Sequence, residues 1–325
     1  MTRFGEKPMD NSVLTSSLAD AMVNVAELAA IAASRLVGHG DEKKADAAAV
    51  DAMRTAFNAV DFKGRVVIGE GERDEAPMLY IGEEVGTGNG PEIDIALDPL
   101  EGTTLTAKAM PDACAVLAIA PRGGLLHAPD TYMDKIAIGP GYPEGIISLE
   151  ASPADNIKAL AKHRKRKVEE MTVCVLDRPR HQGIIDSLRS AGARVVLITD
   201  GDVAGVIATT DPLTGIDMYV GQGGAPEGVL AAAALKCVGG QMLGRLVFRN
   251  DDEKKRASRT GITDFGKTYS LNELASGETV FCATGVTKGT LLDGVVQKDG
   301  RIHTHTLVMT STNGLVRNVR SSRRI

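Results

Sequence analysis

Residues 98–104 place two carboxylates and a hydroxyl within six residues of one another, directly after the apolar run 93–97. The run predicts a buried strand, which Pro99 is expected to end. Because Pro99 and Gly102 bracket Glu101, the turn should hold its acidic groups at the carboxyl end of a strand, where α/β proteins bind ligands. Carboxylates without cysteine or histidine favour a hard cation, Mg²⁺ or Mn²⁺. An ordinary surface turn has the same composition.

Two more acidic residues precede this segment. Periodic apolar residues predict a helix over residues ~17–37 and a second helix with Asp46 in its first turn, where an acidic residue can also simply favour the helix start. The strand 66–68 then leads to Glu70. If sequential strands pair, Glu70 and Asp98 lie within a few ångströms of each other, and a shared divalent cation would relieve their repulsion. A solvated acidic loop is the alternative.

From about residue 171 the chain alternates strands and helices, which predicts a parallel sheet with right-handed crossovers. The predicted strands are 172–176, 194–199 and 216–220, and the predicted helices lie around 184–188, 203–207 and 227–237. Each strand is followed by polar groups that should emerge at one edge of the sheet. They are Arg178 and Arg180, then Asp200 and Asp202, then residues 221–227.

These groups suit a sugar phosphate. The guanidinium groups of Arg178 and Arg180 stand on a proline-stiffened loop and match phosphate oxygens, although two solvated arginines would look the same. Asp200 and Asp202 could bond sugar hydroxyls or cap a helix.

Residues 221–228 superficially suggest a dinucleotide-binding loop. Pro226 stands where that fingerprint has its last glycine, and Glu227 puts a negative charge where the pyrophosphate would sit. The pattern therefore argues against a nicotinamide-dependent oxidoreductase. The helix dipole helps Glu227 stay ionised, which makes it a candidate metal ligand.

Composition limits the remaining classes. The 325 residues are 43% hydrophobic and carry a net charge of −5, which supports a sizeable core and disfavours a broad nucleic-acid surface. We expect the chain to form two halves, residues 1–170 and 171–325. We also expect no stretch of the roughly 18 apolar residues that a membrane span requires. Four widely spaced cysteines predict reduced core thiols in a soluble, cytoplasmic protein.

Six motifs in order resemble the bacterial class II fructose-1,6-bisphosphatases, over about residues 13–318. The residues that carry the resemblance are 38–46, 67–72 with 76–80, 98–103, 177–181, 198–205 and 223–228. The motif at 98–103 alone would indicate only the wider magnesium-dependent, lithium-sensitive sugar and inositol phosphatase superfamily. The resemblance implies an α+β first half and an α/β second half in a layered α-β-α-β-α sandwich.

The resemblance also implies roles for individual residues. Two or more Mg²⁺ or Mn²⁺ ions would bind to five carboxylates, those of Asp46, Glu70, Asp98, Glu101 and Glu227. Thr103 would position or deprotonate the attacking water. Because a threonine alone is a poor base at neutral pH, our own hypothesis is that Asp46 or Glu70 relays the proton. The substrate, fructose 1,6-bisphosphate, would be contacted by Glu101, Gly102, Thr103, Tyr132, Arg178, Pro179, Arg180, Asp200, Gly201, Asp202 and Gly224.

Two positions depart from the related patterns. Family members often have lysine where this chain has Glu42, so a role for Lys43 or Lys44 stays open. Inositol phosphatases usually have aspartate where Glu101 stands, and the longer side chain favours the bisphosphatase branch. The alternatives are an inositol monophosphatase-like enzyme, another sugar bisphosphatase such as a sedoheptulose-1,7-bisphosphatase, and a non-catalytic sugar-phosphate sensor.

Two basic segments remain. The run 162–167 is expected to be a solvated helix end or a linker between domains. The tail 317–324 is expected to be frayed or to form an interface arm, and we expect a homo-oligomer, either a dimer or a tetramer.

Overall fold

A computed structural model describes residues 12–71 and 78–325, so residues 72–77 of the motif 67–80 lie outside the described residues. The helices of the described residues are α1 (Ser16–Ser34), α2 (Glu42–Phe57), α3 (Thr103–Ala107), α4 (Pro153–Arg164), α5 (Gln182–Ser190), α6 (Asp202–Ile207), α7 (Ala225–Val238), α8 (Asp251–Arg259) and α9 (Leu271–Leu274). The strands are β1 (Lys63–Ile68), β2 (Glu84–Val85), β3 (Glu92–Glu101), β4 (Cys114–Pro121), β5 (Tyr132–Ile138), β6 (Thr172–Leu176), β7 (Arg194–Ile198), β8 (Met218–Gly224), β9 (Gln241–Val247), β10 (Thr268–Ser270), β11 (Val280–Gly285), β12 (Val296–Lys298), β13 (Arg301–Thr310) and β14 (Leu315–Arg324).

The strands form two sheets. The first has the order β12-β13-β11-β4-β3-β1-β2, with β14 on the other side of β13, and the second has the order β10-β9-β5-β8-β6-β7. Strand β5 precedes residue 170 and belongs to the second sheet, whereas β11 to β14 follow it and belong to the first. The division of the chain at residue 170 therefore stays a prediction about folding units and does not describe the sheets.

Helices cover both sheets and fill the space between them. Helices α1 and α2 pack on the outer face of the first sheet through residues such as Met22 and Met53. Helices α6 and α7 lie between the sheets, and the alanine-rich α7 is almost entirely buried there. Helices α4 and α5 cover the outer face of the second sheet. The layered α-β-α-β-α prediction is confirmed by this packing.

Helix α1 meets the length and composition test for a membrane span, with a mean hydropathy of 1.3. The expectation that no stretch would do so was therefore wrong. In this structure 61% of its most apolar 18-residue stretch is buried inside the protein. Its Glu27 is 1% exposed and accepts a hydrogen bond from Thr304 Oγ1 at 2.9 Å. The apolar composition of α1 is thus explained by its place in the core.

Pro99 does not end its strand, contrary to the sequence prediction. Strand β3 continues to Glu101, and its register against β4 shifts between Asp98 and Glu101. Proline is tolerated at such a bulge because its missing N–H removes no regular ladder bond. The bulge lies between the two carboxylates that the sequence singled out.

The second sheet is only partly parallel. Strand β6 pairs in parallel with β7 and β8, as predicted, and the third of these begins at Met218 and extends to Gly224. Strands β5 and β9 were not assigned to this sheet by the periodicity; β5 pairs antiparallel with β8, and β9 pairs antiparallel with β5. The parallel prediction was right for three strands and incomplete for the sheet.

The basic tail is a strand and is not frayed. Strand β14 pairs with β13 from Leu315 to Arg324, and the buried Glu27 binds Arg323. The other basic segment begins at the last turn of α4, as expected for a helix end. All four cysteines are buried and free, which confirms the prediction of core thiols.

Candidate metal and sugar-phosphate site

Four of the five predicted metal ligands line one cavity of about 300 Å³, called here the acidic cavity, and the fifth, Glu101, lies beside two of them, Asp98 and Glu227. Its lining includes Asp46, Glu70, Asp98, Gly102, Thr103, Asp200 and Glu227. They come from α2, the end of β1, the bulge of β3, the start of α3, the end of β7 and the start of α7. Residues far apart in sequence are therefore brought together as predicted.

Strand pairing sets the first half of the acidic cavity. Strands β1 and β3 are parallel neighbours with Ile68 opposite Ala96, so Glu70 and Asp98 stand at the same level two residues later, Glu70 just past the end of β1 and Asp98 still within β3. A Cβ at position 69 would stand 2.0 Å from the carbonyl oxygen of Leu79, so only glycine fits before Glu70. The sequence prediction that these carboxylates are neighbours is confirmed.

Burial and mutual repulsion perturb this first group of carboxylates. Burial, followed by the charge of Asp98, raises the pKa of Asp46 to about 6. Burial, then Asp98 and Asp46, raises the pKa of Glu70 to about 8. Ionised carboxylates this close together require a compensating positive charge.

A second group shares Asp98 with the first. Carboxylate oxygens of Asp98, Glu101 and Glu227 lie within 4.8 Å of one another. Burial, followed by the charge of Asp202, raises the pKa of Glu227 to about 7. Burial and then Asp98 raise the pKa of Glu101 well above its usual value. Asp98 therefore belongs to both groups of carboxylates, and its own carboxylate is placed to contact a cation in each.

Glu227 gives the clearest sign that a cation fits. Its Oε2 is buried and has no hydrogen-bond partner among the described residues. A Cβ on Gly224, the N-cap of α7, would stand 1.8 Å from that same oxygen, so the glycine makes room for the carboxylate. Since buried polar atoms normally have partners, an oxygen-seeking divalent ion fits this donor set.

Thr103 and Thr104 begin α3, directly after the acidic bulge. Gly102 precedes them with φ of 87°, a left-handed conformation that favours glycine, and Thr103 lines the acidic cavity. The hydroxyl of Thr104, to which the sequence gave no role, donates to Glu42 Oε1 at 2.8 Å. This bond connects α3 to the first turn of α2, the helix that carries Asp46.

Asp202 lies in a buried ion pair that the sequence did not reveal. The Nζ of Lys135 contacts the Asp202 carboxylate and donates to the carbonyl oxygen of Gly224 at 2.9 Å. Lys135 is 1% exposed and Asp202 is 6% exposed. Contact between Asp202 and a sugar hydroxyl stays a prediction. The only sequence signal for Lys135 is a lysine inside the apolar strand β5.

The predicted phosphate-binding loop lies at the same edge of the second sheet. Arg178 donates to the carbonyl oxygen of Thr199 and lies 3.9 Å from Asp200 Oδ1. Arg180 donates to the carbonyl oxygen of Gln222, at 2.8 Å from Nη2, and lies over the ring of Tyr132. Pro179 opens the short 3₁₀ turn between the two arginines, and Gly201 precedes α6 with φ of 81°.

His181 holds this loop in place, a role that the sequence did not suggest. Its Nδ1 lies 2.7 Å from the carbonyl oxygen of Leu176, and its Nε2 accepts from the backbone N–H of Gln222 at 2.9 Å. Because Nε2 accepts, Nδ1 carries the proton and donates to Leu176. Burial lowers the pKa of His181, which favours this neutral form.

The chain is similar to known sugar phosphatases along nearly its whole length. Residues 16–323 match the family described as bacterial fructose-1,6-bisphosphatase, glpX-encoded. A protein of Synechococcus sp. (strain JA-2-3B'a(2-13)), named D-fructose 1,6-bisphosphatase class 2/sedoheptulose 1,7-bisphosphatase, is 45% identical over 321 residues, which cover 91% of this chain and 92% of the relative. A protein of the same name from Prochlorococcus marinus (strain MIT 9515) is 44% identical over 318 residues, covering 94% and 95%. A solved structure of extragenic suppressor protein suhB from Bartonella henselae is 15% identical, with a TM-score of 0.32 over 61% of this chain and 75% of that one.

Proposed function

Because the chain belongs to the glpX-encoded bacterial fructose-1,6-bisphosphatase family, it hydrolyses the 1-phosphate of fructose 1,6-bisphosphate, and we propose that the acidic cavity holds the Mg²⁺ or Mn²⁺ ions for this reaction. Two or more ions would be held by Asp46, Glu70, Asp98, Glu101 and Glu227. The observation that carries this proposal is the buried, unpartnered Oε2 of Glu227 beside Asp98 and Glu101. Such ions neutralise phosphate charge and acidify a water molecule when bound.

The protein's own side chains supply orientation and proton transfer. The Thr103 hydroxyl, at the first residue of α3, orients the attacking water. A threonine hydroxyl is too weak a base at neutral pH, so Asp46 or Glu70 takes the proton from that water. Asp46 and Glu70 line the acidic cavity together with Thr103, so both carboxylates are placed beside the water that Thr103 orients.

The sugar and the distal phosphate lie against the edge of the second sheet in this proposal. Arg178 and Arg180 offer guanidinium groups to the phosphate, and Asp200 offers a carboxylate to the sugar hydroxyls. Backbone groups of the turns beside them complete the contacts. The residues proposed here are Glu101, Gly102, Thr103, Tyr132, Arg178, Pro179, Arg180, Asp200, Gly201, Asp202 and Gly224.

We also propose sedoheptulose 1,7-bisphosphate as a second substrate, because the names of both cyanobacterial relatives include that activity. Phosphate release from fructose 1,6-bisphosphate, sedoheptulose 1,7-bisphosphate and inositol 1-phosphate, each with Mg²⁺ and with Mn²⁺, tests the substrate and metal together. Activity on both bisphosphates and little on inositol 1-phosphate is expected. Preference for inositol 1-phosphate would contradict the assignment of Arg178 and Arg180 as the groups that bind the distal phosphate.

A cytoplasmic homo-oligomer, a dimer or a tetramer, completes the proposal. The free, buried cysteines support a reducing compartment.

Strand β7 is the edge of the second sheet and exposes Val196 and Leu197, near the 94% exposed Leu213. Such an apolar edge is suited to pairing with a second copy. Light scattering should give the mass of an oligomer, and a monomer mass would contradict this part.

A further inference from the structure

Two guanidinium groups lie over the ring of Tyr132. Arg180 is 4.9 Å and Arg249 is 5.0 Å from the ring centroid. We call these three residues the arginine–tyrosine cluster. Neither the family resemblance nor the sequence patterns pointed to Arg249, which follows the end of β9 by two residues.

Strand register places this cluster beside the acidic cavity. Tyr132 pairs with Val247 of β9 on one side and with Gly224 of β8 on the other. Neighbouring strands are about 4.8 Å apart, so the Tyr132 backbone lies one strand from Gly224, whose open space accommodates Glu227. The cluster is therefore at the same edge of the sheet as the proposed metal ligands.

Arg249 is held in place by a buried carboxylate. Glu253, 1% exposed, accepts from the backbone N–H of Arg249 at 2.7 Å and from its Nε at 2.6 Å. Glu253 also accepts from the hydroxyl of Thr131, the residue before Tyr132, at 3.0 Å. One carboxylate thus fixes the arginine relative to the start of β5.

The remaining edge of each guanidinium group is available. Arg249 uses Nε and Nη2 on Glu253, and Arg180 uses Nε and Nη2 on the carbonyl oxygen of Gln222. Nη1 has no hydrogen-bond partner among the described residues in either arginine. The Arg249 side chain is 56% exposed, so its free edge can reach a ligand.

We propose that Arg249 is a further side chain of the subsite for the distal phosphate, beside Arg178, Arg180 and Tyr132, and that it favours bisphosphates over monophosphates. This inference rests on the proposed function. Guanidinium forks match phosphate oxygens, and the aromatic ring together with Glu253 fixes the fork before the ligand arrives. The arginine–tyrosine cluster carries two positive charges, and the acidic groups beside Arg249 are Glu253 and Asp130.

A truncated substrate separates this role from a purely structural one. Fructose 1-phosphate carries the scissile phosphate and lacks the distal one, so a contact to the distal phosphate cannot affect it. We expect Arg249→Met to lower kcat/KM for fructose 1,6-bisphosphate about 10- to 100-fold, mainly through KM, the size of one lost charge-assisted contact. For fructose 1-phosphate we expect a change below about threefold on the same reasoning. Equal losses on both substrates would overturn the proposal.

Two further variants control for folding and charge. Arg259→Met removes an exposed arginine at the other end of α8 and should leave both substrates unaffected. Arg249→Lys keeps a positive charge for Glu253 but loses the fork, so we expect an intermediate loss on the bisphosphate alone. A loss with Arg259→Met as large as that with Arg249→Met would count against a specific contact.

Binding of fructose 6-phosphate tests the proposal without catalysis. This product retains the distal phosphate, and calorimetry measures its affinity for the wild type and the variants. We expect Arg249→Met to weaken it at least tenfold, and unchanged affinity would overturn the role of Arg249. If Arg249→Met weakens fructose 6-phosphate binding but the wild type hydrolyses neither fructose ester, the proposed function fails while the assignment of Arg249 as a phosphate contact stands.

Discussion

Raising the pH from 6 to 8 should tighten the binding of Mn²⁺ to the metal-free protein. The pKa values of Asp46, Glu227 and Glu70 are raised to about 6, about 7 and about 8, chiefly by burial. A carboxyl group must lose its proton before it binds the ion, so each protonated group weakens the apparent affinity.

Glu70 dominates the expected change. With a pKa of about 8, it is ionised in about 1% of molecules at pH 6 and in about half at pH 8. The apparent affinity of the ion that it binds should therefore rise about 50-fold over this range from this group alone. Glu227, with a pKa of about 7, should add about tenfold for the ion that it binds.

Calorimetric titration of chelator-treated protein with Mn²⁺ at pH 6, 7 and 8 measures this change. Repeating each titration in two buffers of different ionisation enthalpy counts the protons released. The expected result is release of about one proton per ion or more at pH 6, and less at pH 8. An affinity that is independent of pH, with no proton release, would refute the assignment of these carboxyl groups as ligands.

The same carboxyl groups set the direction of the change in stability with pH. A carboxyl group whose pKa is higher in the folded than in the unfolded protein loses its contribution to stability as the pH rises between the two values. For Glu70 this window runs from 4.5 to about 8. The metal-free protein should therefore melt at a lower temperature at pH 8 than at pH 6, and Mn²⁺ should raise the melting temperature more at pH 8.

Two substitutions test individual side chains. Thr103→Ala should lower kcat about 100-fold with an unchanged melting temperature, because only the orientation of the water is lost; near-normal turnover would exclude Thr103 from the reaction. Lys135→Met should destabilise the protein by about 3–5 kcal/mol, because it leaves Asp202 buried without its cation. Urea unfolding measures this loss, and a change below about 1 kcal/mol would show that the pair is not needed for stability.

Local sequence patterns predicted much of the acidic cavity because several of its residues stand at the edge of an apolar run or at a helix start. Glu70, Asp98 and Glu227 each stand at the edge of an apolar run or a helix start, where residue type and position identify them. That β1 and β3 are neighbours followed from the rule that sequential strands tend to pair, and the structure shows that the pair is parallel.

The residues that were missed depend on pairing between distant segments. Lys135 and Arg249 were missed, and Tyr132 came from the family resemblance alone. All three reach the site because β5 pairs antiparallel with β8 on one side and with β9 on the other. No periodicity within β5 or β9 encodes that neighbour. The continuation of β3 through Pro99 likewise depends on β4 beside it, since a bulge is defined by two strands.

The central claim is that the carboxylates of the acidic cavity hold the divalent ions used to hydrolyse fructose 1,6-bisphosphate. The most direct test is a phosphate-release assay on chelator-treated wild type and Glu227→Gln, with and without added Mn²⁺. We expect no release without metal, recovery of the wild type with Mn²⁺, and little recovery of the variant. Activity that persists after complete metal removal, or full recovery of Glu227→Gln, would contradict the claim.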